Sequence, residues 1–266
     1  MFGGGCSPVS STSDPRSTVC FFNLDFTGVA NTSNTSLRAA ARCLAAASNK
    51  DYIVFGGGFS SRSTITGVST VTAYNSACTR LSPTSLTTAR GRLSGASLGD
   101  YIVFSGGNNT NGYTTNTEIY DSSLTKLETL SLSQPRAVMG AAATQEKVFF
   151  AGGVNDGAAR SYKVDCFDMS FTRYEAPRLI SGMWEMAGAS LGDYVIFAGG
   201  RDADSNYNTN VEIYDNLLTK TLSTPLTDSR ITMEGTTINN YALFAGGYSN
   251  DSVAAHSCAV EVYTIV

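Results

Sequence analysis

The sequence predicts an all-β chain, a β-propeller of four-stranded blades, with six blades on one count and five on another. Three observations predict it. Gly-Gly pairs follow apolar runs at Gly57-Gly58, Gly106-Gly107, Gly152-Gly153, Gly199-Gly200 and Gly246-Gly247, at spacings of 49, 46, 47 and 47 residues, and a sixth pair stands at Gly4-Gly5. An aromatic followed by Asn or Asp, with Thr four places on, recurs at Phe22-Asn23, Tyr74-Asn75, Tyr120-Asp121, Phe167-Asp168 and Tyr214-Asp215. Runs of small residues precede the apolar runs, as in Gly95-Ala96-Ser97 and Gly140-Ala141-Ala142-Ala143. A fixed period of this size marks one supersecondary unit per repeat, stacked on its neighbours.

Each strand of the unit follows from its residues. The small-residue run is the innermost strand, because sheets that radiate from an axis converge there and leave room only for Gly, Ala, Ser and Thr. The second strand is the short apolar run, such as Tyr101-Ile102-Val103-Phe104, whose length and composition suit a buried strand. The third ends at the recurring aromatic. The Asn or Asp after it can bond its own backbone and start a tight turn into the fourth strand. The segment Leu37 to Ala47 has strong helix propensity, yet its register with the other small-residue runs predicts a strand. Tyr263 closes the series without its turn, the first unit begins at its Gly pair without an inner strand, and the last stops at Val266 without an outer one. Six Gly pairs favour six blades, whereas closure of the final unit by Thr27 to Thr32 would give five.

The Gly pair, the aromatic before the turn and a unit of roughly 50 residues together resemble kelch-repeat propellers in a divergent, bacterial or phage-like form. WD40 signatures are absent. The resemblance spans nearly the whole chain and implies one propeller domain over residues 1–266. Two departures stand out. Kelch repeats carry a Trp seven places after the aromatic, where this chain has Val29, Leu81, Leu127, Tyr174 and Thr221. The family's arginine before the inner strand is present at Arg90, Arg136 and Arg230 but is Met183 in one unit; these arginines are expected to be structural.

Composition excludes several functions. Eighteen Lys and Arg against 22 Asp and Glu give a net charge of −4, so no basic field exists for nucleic acid. The single histidine, His256, rules out sites that need two imidazoles. No apolar run approaches the roughly 20 residues of a membrane-spanning helix, so membrane insertion is not expected. Met1 to Gly5 lacks the charged and apolar regions of a signal peptide; extracellular, virion-associated and cytoplasmic settings all remain open. Cys6, Cys20, Cys43, Cys78, Cys166 and Cys258 form no Cys-x-x-Cys pair and read as mostly reduced, half-buried apolar residues.

Catalytic motifs are scarce. Copper chemistry of the galactose-oxidase type lacks its second histidine. The Glu, Asp and His spacing of specifier-like kelch proteins is missing, since Ser252 and Tyr248 stand four and eight places before His256. Asp202 to Asn208 resembles the start of a calcium loop, but Tyr207 and Ile213 replace its Gly and Glu, so no metal and no cofactor is expected. What varies between units is the loop after each Gly pair, which should share one face with the segments leading into the inner strands. Loops on a rigid scaffold commonly carry binding. The expected binding face comprises Phe59 and Arg62; Asn108, Asn109, Asn111 and Tyr113; Asn155 and Arg160; Arg201, Asp202 and Tyr207; and Tyr248 and His256. Tyr and Arg supply compact anchors and Asn adaptable hydrogen bonds. The expected function is non-enzymatic recognition of a protein or glycan, in a setting resembling surface or phage attachment. The competing reading is a sugar-epimerase-like enzyme at the channel mouth, with Glu185, Glu234 or an arginine moving the proton.

Overall fold

The computed structural model describes residues 2–3, 15–22, 28–29, 36–249 and 256–264. They are strands and turns apart from one 3-10 turn at Asp156–Ala158. No described helix is long and apolar enough to cross a membrane. The chain divides into two compact units, Met1–Ser131 and Leu132–Val266.

In the first unit, β1 (Phe2–Gly3), β2 (Arg16–Phe22) and β3 (Gly28–Val29) form a sheet in which β4 (Ser36–Ala41) also pairs with β2. Next comes the antiparallel blade β5 (Ala45–Ser48), β6 (Tyr52–Gly56), β7 (Val71–Asn75) and β8 (Arg80–Leu81). The following blade takes β9 (Ser94–Leu98) and β10 (Tyr101–Ser105), then carries a small ribbon of β11 (Asn108–Asn109) and β12 (Gly112–Tyr113) before β13 (Asn116–Tyr120) and β14 (Lys126–Ser131). The second unit repeats the pattern with β15 (Gly140–Ala143), β16 (Lys147–Ala151), β17 (Val164–Asp168) and β18 (Arg173–Ala176). A further blade holds β19 (Ala187–Leu191), β20 (Tyr194–Ala198), β21 (Val211–Asp215) and β22 (Lys220–Leu222). The last sheet has β24 (Glu234–Ile238), β25 (Tyr241–Ala245) and β27 (Val260–Thr264), beside a ribbon of β23 (Arg230–Ile231) and β26 (Tyr248–Ser249). Among the described residues there are thus five four-stranded sheets and one three-stranded sheet.

The small residues of the inner strands have the packing reason expected of them. A Cβ on Gly95 in β9 would lie 2.8 Å from the Ala46 carbonyl in β5, and one on Gly188 in β19 would run into the Ala141 backbone of β15. Hydroxyls stitch the same seams, Ser97 donating to the Ser48 carbonyl and Thr237 to that of Ser190. Between second and third strands an aromatic pair recurs in edge-to-face geometry: Phe55 with Tyr74, Phe104 with Tyr120, Phe150 with Phe167, Phe197 with Tyr214 and Phe244 with Tyr263, ring centroids 5.9 to 6.4 Å apart. Each pair adds about 0.5–1.5 kcal/mol beyond its buried area.

The turn after each aromatic is an Asx turn. The Asp121 carboxylate accepts from the backbone N–H groups of Ser123 and Thr125 at 2.9 Å, and Asn75, Asp168 and Asp215 do the same in their repeats. The Phe22-Asn23 turn, the Gly4-Gly5 pair and Cys6 lie outside the described residues.

The ring arginines are internal posts. Arg90, Arg136 and Arg230 are fully buried. Arg90 meets Glu118 at 2.7 Å, Arg136 meets Asp165 at 2.5 Å and Arg230 meets Glu261 at 3.0 Å. A donor of each also reaches the carbonyl of the first glycine of the pair, Gly106, Gly152 and Gly246, so one side chain ties inner strand, glycine turn and third strand together. Burial pulls the Arg136 guanidinium below its usual basicity and Asp165 opposes this; with a carboxylate in contact the charge stays. A second cation, Lys126 or Arg173, flanks Glu118 or Asp165 from the outer strand.

Leu37 to Ala47 lies in the strands β4 and β5, as its register predicts. Two expectations are corrected. Gly28–Val29 pairs with β2 of the first sheet, so this part of the Thr27 to Thr32 segment does not complete the last one. The five described cysteines are free thiols but not uniformly half-buried: Cys20, Cys43 and Cys258 are exposed, Cys78 is intermediate and Cys166 is buried.

Candidate binding face

The glycine pairs build the platform for the variable tips. Their φ values are positive throughout, 68° and 109° at Gly57-Gly58, and a Cβ on Gly57 would sit 2.6 Å from the Arg90 carbonyl. Only glycine meets both demands. The reversal lets the next residue bridge to the residue leading into the inner strand: Phe59 with Arg42, Asn108 with Gly91, Val154 with Ala137, Arg201 with Trp184, and Tyr248 with Ile231. A third position bridges from the other side, at Gly67, Tyr113, Arg160, Tyr207 and His256. Each of the five described repeats therefore carries a three-rung rim, two rungs from the variable tip and one from the inner-strand approach.

The residue after each inner-approach rung is left-handed although none is glycine: Cys43, Arg92, Val138, Glu185 and Thr232, at φ 53°, 55°, 58°, 58° and 52°. This conformation costs roughly 1–2 kcal/mol per residue. Backbone bonds link the positions from repeat to repeat, Arg92 N–H to the Cys43 carbonyl at 2.8 Å in the first unit, and Glu185 to Val138 and Thr232 to Glu185 at 3.3 and 3.2 Å in the second. Strain held this regularly is part of the frame on which the rim is mounted.

In the first unit, Phe59 is buried and lies between the guanidinium groups of Arg42 and Arg92, at 5.2 and 5.8 Å from its ring centre. Its ring is thus enclosed by the two arginines of the rim. Arg62 is exposed, and its carbonyl accepts from Arg42 at 3.0 Å. Asn108 is buried beside Gly91, and Asn109 holds its turn by donating to the Ala89 carbonyl and accepting from the Asn111 N–H. Asn111 is exposed and Tyr113 half-buried.

In the second unit the rim becomes a stack. The Arg160 guanidinium sits 4.7 Å from the Trp184 ring, Arg201 lies 5.7 Å from the same ring and 5.0 Å from that of Tyr207, and Arg201 donates to the Tyr207 hydroxyl at 3.1 Å. Four side chains from two repeats thus form one half-buried ladder. Cation–π contacts of this kind are each worth about 0.5–2 kcal/mol, more as they are desolvated. The Asp202 carboxylate is committed to its own turn, accepting from Asp204 and Asn206 N–H at 3.0 and 2.9 Å. Among the described residues no three His, Cys, Asp or Glu side chains converge on a metal position. Tyr248 packs on His256 with ring centres 4.8 Å apart and planes tilted by 44°, both exposed. Asn155 joins Arg160 in the lining of a depression of about 180 Å³.

Sequence reasoning missed Trp184, Arg42 and Arg92. Aligning the repeats on their glycine pairs would have found the first two, because Arg42, Gly91, Ala137, Trp184 and Ile231 share one position and differ completely in chemistry.

Four-stranded antiparallel blades, inner strands packed edge to edge and glycine-turned tips define a β-propeller scaffold. The same fold is seen in a solved structure titled "Structure of YjhT", which aligns over 99% of this chain and 94% of its own with a TM-score of 0.75 and 14% sequence identity. In all, 505 solved chains match, so the likeness concerns architecture and not activity. No protein-family model and no curated protein sequence matches the chain.

Proposed function

We propose that this chain is a kelch-like, non-enzymatic binding propeller that recognises a protein or glycan through its rim loops, in an attachment role at a cell or virion surface. The observation that carries the reading is the ladder of Arg160, Trp184, Arg201 and Tyr207. The frame does not need it: the equivalent rungs elsewhere are Gly91, Asn108 and Tyr113, or Ile231, Tyr248 and His256. Large aromatic and arginine side chains held at low entropy cost are the usual anchors of a recognition surface. Composition rich in Ser, Thr, Asn and Gly supports the surface setting.

The test is a glycan and protein array probed with the native chain and with Tyr113→Ala and Tyr207→Ala, alongside a sugar-epimerisation assay. The expected outcome is a discrete ligand set lost in the tyrosine variants, with no turnover. Turnover abolished by Glu185→Gln or Glu234→Gln would reject the non-enzymatic reading.

A further inference from the structure

We infer that the depression beside the ladder is an oxyanion site, and that the ligand of the rim is an acidic glycan carrying a carboxylate or sulfate; this rests on the binding-face reading above. Arg160, Lys163 and Arg178 line it together with Gln134, Asn155 and Ser161. No carboxylate is in the lining, in a protein whose net charge is −4.

Like charges gathered in one hollow repel unless a counter-charge joins them. Lys163 has a partner in Glu175 at 2.6 Å, outside the hollow. Arg160 is steadied on Trp184. The Arg178 guanidinium is exposed and makes no hydrogen bond or ion pair among the described residues. The polar floor is already fixed, Gln134 donating to the Ser161 hydroxyl at 2.5 Å, so the charge a ligand would meet first is that of Arg178. Two guanidinium forks and an ammonium suit an oxyanion.

The cations are not a requirement of the fold. Where this repeat has Arg160, Lys163 and Arg178, the corresponding residues are Gly67, Thr70 and Ser85 in one repeat and Tyr207, Asn210 and Pro225 in another. A volume of about 180 Å³ is below the roughly 300 Å³ of a drug-sized pocket, and so suits a charged group with its nearest ring and not an oligosaccharide. Tyr162, 49% exposed and in the lining, offers a flat face beside that group for the attached ring.

Trp184 is the only tryptophan and touches Arg160, so its fluorescence reports occupancy in the intact protein. The probes are a hyaluronan tetrasaccharide, with carboxylates only, a sulfated dextran oligosaccharide, an uncharged dextran of the same length, and inorganic sulfate. A saturable change with either acidic sugar, absent with neutral dextran, is expected; which sugar binds tells carboxylate from sulfate. Arg178→Gln and Lys163→Gln should each weaken it about tenfold or more, and Glu175→Gln, which frees Lys163, should tighten it. Unaltered affinity in the Gln variants, equal binding of neutral dextran, or no response to any probe would overturn the inference. Displacement by equimolar inorganic sulfate would assign the hollow to a free ion and overturn the glycan. Array binding of uncharged ligands that stays sensitive to Tyr207→Ala would leave the binding face standing while removing its acidic class.

Discussion

The blades β15–β18 and β19–β22 follow the same plan and diverge at one buried position. In the first, Arg136 spans from Asp165 to the carbonyls of Gly152 and Lys163, with Arg173 behind the carboxylate at 2.9 Å. In the second, Met183 fills the arginine's place, buried and packed in the core, and the acid Glu212 is served by Lys220 at 2.6 Å and by the Ile180 N–H. Blade β5–β8 goes further: Ala41 and Thr72 replace both partners. The difference teaches that the arginine is a removable brace. What the frame enforces is that a buried carboxylate always keeps a cation, and that arginine and acid can be lost together.

The sharpest way to break this comparison is Asp165→Ala. It leaves Arg136 buried without a counter-charge and should cost about 3–5 kcal/mol in denaturant unfolding. Arg136→Met reproduces the neighbouring blade, since Arg173 still holds Asp165; its loss should be smaller, about 1–3 kcal/mol from the abandoned carbonyls. Equal losses for the two would refute the brace reading. A second contrast is between buried and exposed thiols. Burial pushes the Cys166 thiol up to about 12, so a thiol reagent at pH 8 should label Cys20, Cys43 and Cys258 in the native protein and reach Cys166 only on unfolding. The smallest effect belongs to the turns. The Ser123 hydroxyl, with the backbone N–H groups, holds Asp121 below the usual carboxylate value, and Ser170 and its neighbours hold Asp168 there against desolvation. A depressed carboxyl adds stability above its ordinary value of 3.8 that fades as pH falls through the folded one. Asp121→Asn should therefore unfold more readily at pH 7 by a margin that shrinks below pH 4.

Much of the frame was legible because it repeats. Glycine pairs, aromatics and Asx turns are local chemistry written five times over, and a single period fixed their register. The binding face was legible only by position. Phe59 belongs to the face by position because it follows a glycine pair, yet its neighbours Arg42 and Arg92, 17 residues before and 33 after it in the sequence, enclose its ring. The ladder was invisible for the same reason: Arg160 and Trp184 belong to different repeats and meet only through packing. Helix propensity over Leu37 to Ala47 yielded to sheet pairing, as tertiary contacts override local preference.

The left-handed residues are joined main chain to main chain within each unit, Cys43 to Arg92 in the first and Val138 to Glu185 to Thr232 in the second. Each is accordingly a socket whose occupant can be exchanged without unlatching the next. A polypeptide made by copying one module can in this way become asymmetric one tip at a time, keeping its amide links while the chemistry displayed above them diverges.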